Sequence, residues 1–171
     1  MSVLKQFFLI IFLSGCAMKT TQIKTVDEVN INKFMGDWYV IAHIPSYVER
    51  NAFNAVESYK LNDDGSIATT FTFNDGSVDG PVKTYHPKGF IVPNTNNAVW
   101  GMQFIWPIKA QYKIAYLDKD YQTTIVARDK LDYVWLMSRS KTIPHDQMIK
   151  FREMIQEMGY NLENFREIEQ K

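Results

Sequence analysis

From Trp38 onward, short runs of β-branched and aromatic residues alternate with turn signals at close, even spacing. Nothing of helical period interrupts them until Pro144. The runs cover 38–45, 55–61, 67–73, 82–86 (resuming at 90–92), 98–106, 110–117, 121–128 and 133–138. Pro45 and Pro107 stop two of them, and Asn62-Asp63-Asp64-Gly65-Ser66 joins the second to the third with a hairpin signal. That is eight predicted strands on connections too short for parallel crossovers, so the pairing is antiparallel. Eight such strands make either a sandwich or an up-and-down barrel, and the barrel leaves no exposed edge.

A single helix follows. Pro144 suits its first turn, Met148, Phe151, Ile155 and Met158 share one face, and Gly159 suits its C-terminal cap. An apolar face of that width must pack on the sheet. Residues 165–169 offer one last short strand.

The amino terminus is of another kind. Lys5 precedes the apolar run Phe7 to Leu13, and Ser14-Gly15-Cys16 follows. A basic start, a short apolar core and small residues form a secretory signal, too short to remain as a spanning helix. Leu13-Ser14-Gly15-Cys16 resembles a bacterial lipobox, which implies cleavage before Cys16 and acylation of its thiol and new amine. The expected organisation is a signal peptide over 1–15, an acylated cysteine and tether over 16–30, and one folded domain over 31–171. Cys16 is the only cysteine, so an acylated chain has no thiol left for catalysis. The formal net charge is zero, which gives no electrostatic case for nucleic acid. Aromatic residues make up 14% of the chain and need a large core or an apolar cavity.

Three local motifs lie along this frame. Gly36-Asp37-Trp38-Tyr39 opens the first strand. Leu117-Asp118-Lys119-Asp120-Tyr121 turns between the sixth and seventh. Trp135-Leu136-Met137-Ser138-Arg139 ends the eighth. In that order, followed by a helix, they resemble the three motifs of the lipocalins, and of their bacterial branch in particular. The resemblance covers about residues 32–169. The middle motif departs from the family's commoner Thr-Asp-Tyr form.

The resemblance implies an all-β fold: an eight-stranded up-and-down antiparallel barrel with one C-terminal α-helix outside it. It also implies that Gly36, Trp38 and Arg139 close the barrel base, the guanidinium over the indole. The expected function is binding of a fatty acid or lysophospholipid in the interior, for storage or transport at the bacterial envelope. The expected location is the outer membrane, anchored through Cys16 and facing the periplasm, because Ala17 replaces the aspartate that retains lipoproteins at the inner membrane. A homodimer is compatible with this reading. An enzyme or a haem-binding protein on the same barrel is the alternative.

Strand alternation assigns faces once Trp38 points inward. It places Val40, Ala42 and Ile44 inside, with Tyr39, Ile41 and His43 outside. The predicted ligand-binding set is Val40, Ala42, Ala55, Glu57, Tyr59, Phe71, Phe73, Met102, Phe104, Tyr112, Ile114 and Tyr116. Trp106 shares the row of Trp100, Met102 and Phe104. Glu57 is the exception in an apolar row, because a buried carboxylate needs a partner. Two readings stand: a polar or cationic headgroup such as an amine, or a structural pair with Lys83, Arg128 or a tyrosine hydroxyl. The 46–53 loop carries Tyr47, Val48 and Phe53, suited to a lid or a membrane-facing rim. His43, His86 and His145 are scattered, and no spacing suggests a metal, a cofactor or a nucleophilic elbow.

Overall fold

The computed structural model describes residues 22–171. Cys16 and the expected signal segment lie outside the described residues. A short helix α1 (Ile31–Phe34) leads into β1 (Gly36–Ile44), and a 3-10 turn (Tyr47–Glu49) separates β1 from β2 (Ala52–Leu61). There follow β3 (Ile67–Asp75), β4 (Val82–Tyr85), β5 (Lys88–Ile91), β6 (Val99–Ile105), β7 (Ile108–Leu117), β8 (Thr123–Ala127) and β9 (Val134–Ser138). Helix α2 (His145–Glu157) and the two-residue β10 (Arg166–Glu167) end the chain.

All pairings are antiparallel, and β1 pairs with β9 as well as β2, which closes the sheet into a barrel. Pro87 lacks an N–H, so the fourth barrel strand is broken there. Its first half, β4, pairs with β3 only, and its second half, β5, bridges β3 to β6. Counted this way the barrel has eight strands. β10 lies beside Ala42 and His43, where β1 no longer pairs with β2.

Two apolar clusters result. One fills the barrel and includes Trp38, Val40, Phe71, Trp100, Ile114 and Trp135. The other lies outside, where Met148, Phe151 and Ile155 of α2 cover Ile41, Ala42, Ile125, Val134 and Leu136. Strands β1, β8 and β9 are therefore buried on both faces.

Two β-bulges correct the predicted faces. The β1–β9 register shifts between Val40 and Ala42, and the β7–β8 register shifts between Ile114 and Tyr116. One extra residue reverses the alternation beyond it. Ala42 and Ile44 consequently face α2, and fully buried His43 does not face solvent as predicted. Tyr116 also lies outside, its ring 5.3 Å from that of Phe151. A third irregularity, between Met102 and Ile105, leaves Trp106 82% exposed rather than in the row of Trp100.

Residues 22–30, expected as tether, lie along the barrel wall. Ile23 N–H donates to Asp129 Oδ1 (2.8 Å), Val26 N–H to the Ile114 carbonyl (3.0 Å) and Val29 N–H to the Asn96 carbonyl (3.0 Å). This strap runs from the β8–β9 loop at one barrel end to the β5–β6 turn at the other.

Candidate functional site: a half-hollow barrel

The two barrel ends differ. At the base, Trp38 is fully buried and its Nε1–H donates to the Phe34 carbonyl (2.8 Å). The Arg139 guanidinium carbon lies 3.8 Å from the Trp38 ring centroid. Its Nη1 donates to the Asp37 carbonyl (2.6 Å), and Nη2 faces the carbonyls of Lys33 (3.0 Å), Phe34 (3.0 Å) and Met35 (2.8 Å). The charge thus satisfies the carbonyls left over where α1 ends. Gly36 sits under it at φ +92°, with the space for a Cβ only 3.4 Å from Nη1. A side chain there is strained whatever the space.

Above the base the interior is solid. Trp100 and Tyr112 stack at 4.9 Å, Phe34 meets Trp100 edge-on at 5.3 Å, and the hydroxyls of Tyr59 and Tyr112 are 2.8 Å apart. Val40, Ala55, Phe71, Phe73 and Ile114 are buried in the cluster that fills the barrel.

Toward the other end the packing opens into a cavity of about 230 Å³. Ser46, Tyr47 and Val48 from the β1–β2 loop form one wall, and Glu57, Met102, Phe104, Ala110, Tyr112, Tyr133 and Trp135 complete it. Of the twelve residues expected to bind ligand, four line this space: Glu57, Met102, Phe104 and Tyr112. Tyr133, Trp135 and Ala110 were missed. The signal for the first two was the alternation of Tyr133, Trp135 and Met137 along β9. A wider cleft of about 590 Å³ lies outside the barrel between the strap and the end of α2, at Met154 and Met158. It is open to solvent and walled partly by Lys24, Asp27 and Glu157, which suits water better than an apolar ligand.

Glu57 is 6% exposed, and its Oε2 has no hydrogen-bond partner. Of the predicted structural partners, Lys83 is paired with Asp75 (2.7 Å) and Arg128 with Asp132 (2.9 Å), which leaves the Tyr59 hydroxyl as the one that acts on Glu57. Burial pushes the Glu57 carboxyl up to about 8, with Tyr59 offsetting part of the effect and the charge of Glu49 adding to it. At pH 7 a group at that value is roughly nine-tenths protonated. The cavity therefore contains a neutral carboxylic acid, which donates a hydrogen bond.

Glu49, eight residues earlier, behaves oppositely. Burial raises its carboxyl, but His43, Ser46 and Trp135 together hold it below the usual range. Its Oε1 accepts from Ser46 N–H (2.8 Å), its Oε2 accepts from Trp135 Nε1 (2.8 Å), and His43 Nδ1 lies 3.6 Å from Oε2. This ionised group latches the β1–β2 loop onto the barrel rim. Among the described residues no cluster of His, Cys, Asp and Glu has the grouping of a metal site.

Comparison with known proteins agrees with this architecture. The outer membrane lipoprotein Blc of Vibrio cholerae is 27% identical over 154 residues, covering 88% of each chain. The temperature-induced lipocalin-1 of Arabidopsis thaliana is 26% identical, covering 82% of this chain and 79% of its own. Among solved structures, insecticyanin from the tobacco hornworm Manduca sexta superposes with a TM-score of 0.67 at 15% identity, over 88% of this chain and 85% of its own, a likeness of fold. The profile of the family described as the lipocalin-like domain matches residues 29–170, nearly the whole described chain, and the protein belongs to that family.

Proposed function

We propose that this chain binds single-chain lipids, fatty acids or lysophospholipids, at the bacterial outer membrane, storing or carrying them for envelope maintenance. The observation that carries the reading is an apolar cavity holding one buried carboxyl whose Oε2 has no hydrogen-bond partner. The lipobox at Cys16 and the likeness to proteins named outer membrane lipoproteins support the location, with the acyl anchor leaving the domain on the periplasmic face.

The cavity volume restricts the ligand. A cavity of about 230 Å³ that is open at its mouth takes part of one acyl chain, with the remainder outside. Seven buried methylenes contribute about 6 kcal/mol before association costs. That alone corresponds to binding in the tens of micromolar at best, so the carboxyl and the loop wall of Tyr47 and Val48 must supply the rest. Protonated Glu57 donates to a lipid oxygen and has no charge to offer an amine. The ligand therefore enters with its oxygen end toward Glu57, and its chain leaves along Tyr47, Val48 and Phe104. A carboxyl is the smaller of the two oxygen ends to bury beside Glu57, which favours the fatty acid.

Titration of the full chain carrying Cys16→Ser with a fatty acid, the matching lysophospholipid and the matching hydrocarbon tests this. Fatty acid is expected to bind most tightly, and Glu57→Leu to remove its advantage over the hydrocarbon. Equal affinities in the parent chain defeat the assignment, and no saturable binding of any of the three defeats the carrier reading.

A further inference from the structure

We infer that the cavity mouth is a membrane-docking surface: Ile105, Trp106 and Ile108, at the tip of the β6–β7 hairpin, seat in a phospholipid bilayer, so that the cavity opens onto lipid. The exposed apolar side chains are distributed unequally. Trp106 is 82% exposed, Tyr47 80%, Ile105 72% and Ile108 69%, and all lie at the mouth. With Val48 and Phe104 they form one rim, since Tyr47, Val48 and Phe104 line the same cavity. At the base, Leu61 and Val92 are the large apolar residues exposed among the described residues, each below 40%. A hairpin tip of an indole and two isoleucines in water is unfavourable, and an indole among branched aliphatics suits the bilayer interface.

The path of the chain selects the bilayer as the occupant. Ile23 is tied to Asp129 in the β8–β9 loop, so the strap enters at the mouth and not at the base. Cys16 stands six residues before Gln22, and six residues span at most about 20 Å. On the reading that Cys16 is acylated, the anchor emerges at the apolar end and keeps that end close to the membrane. A base-down orientation would have to carry the anchor the length of the barrel. The mouth-down orientation lets a lipid chain leave the bilayer without crossing water, and it matches a ligand held with its oxygen end inward.

Trp106 reports on the contact directly, because Trp38 and Trp100 are fully buried and Trp135 is 8% exposed. Residues 16–171, the chain left after signal cleavage, carrying Cys16→Ser are mixed with phosphatidylethanolamine–phosphatidylglycerol vesicles, with and without brominated acyl chains. A blue shift of the emission and quenching by the brominated lipid are expected, both lost on Trp106→Ser. Ile105→Ser with Trp106→Ser is expected to lower vesicle partitioning at least about tenfold, while the melting temperature and the fatty-acid titration stay unchanged. No vesicle-dependent shift overturns the proposal. So does a shift that follows protein concentration without vesicles and accompanies a dimer in sedimentation, which assigns the rim to a second copy. The vesicle measurement runs without the anchor, so failure of the acylation reading and failure of the rim register separately.

Discussion

Replacing Glu57 by glutamine should stabilise the protein, and increasingly so at alkaline pH. The carboxyl titrates near 4.5 in the unfolded chain and at about 8 in the fold, because burial disfavours its charge. Between those values the folded state holds a proton that the unfolded state has released. Stability is therefore fully present below about pH 4.5 and declines as pH rises through about 8. At 1.36 kcal/mol per pH unit, the loss is about 3 kcal/mol at pH 7 and about 5 kcal/mol at pH 9. Glutamine reproduces the neutral acid in shape and has no proton to lose. Its advantage over the parent should be near zero at pH 4.5, and at pH 7 it should appear as roughly 6–12 °C in melting temperature for a chain of this size. Denaturation of ligand-free protein across pH 4.5–9 measures it. Only the difference between parent and variant is read, which cancels the opposing contributions of Glu49 and Asp129, whose carboxyls the fold holds low. Parallel profiles for the two proteins would refute the argument.

Other perturbations follow from the same geometry. Glu49→Ala removes the acceptor of Trp135 Nε1 and Ser46 N–H and should cost about 3 kcal/mol with the β1–β2 loop released, seen as faster hydrogen exchange over residues 46–50. Arg139→Lys keeps the charge but not the fork that reaches four carbonyls; urea denaturation should show a loss of about 2 kcal/mol, and near-complete retention of stability would show that charge alone suffices. Ala110→Trp places an indole in the cavity from its half-exposed wall. It should abolish fatty-acid binding in a fluorescence titration while the melting temperature falls by no more than a few degrees.

The parts of the fold legible from sequence are those where chemistry and position coincide. Gly36, Trp38 and Arg139 stood out because a glycine, an indole and a guanidinium occur where the barrel begins and ends. Ala42 and Tyr116 were misplaced because bulges leave no mark in strands buried on both faces. From Val40 to Ile44 every residue is buried, so no polar position exists to register the change of side. Trp106 was misplaced for a related reason: the irregularity after Met102 lets the hairpin tip turn away from the row it continues. Glu49 carries no signal of its role in the sequence, since its partner His43 is turned inward by the first bulge. Glu57 was recognisable as an apolar-row carboxylate, yet its protonation, and with it the preference for an acceptor over an amine, depends on the absence of a cation within reach.

The division of the interior into a solid lower half and a hollow upper half gives the chain two nearly independent sets of sequence constraints. Substitutions among Phe34, Trp38, Trp100 and Tyr59 alter whether the chain folds, while those among Val48, Phe104 and Ala110 alter what it carries. Ligand preference can thus drift among descendants of such a chain, or be redirected by design, with the aromatic plug serving as an unchanged foundation.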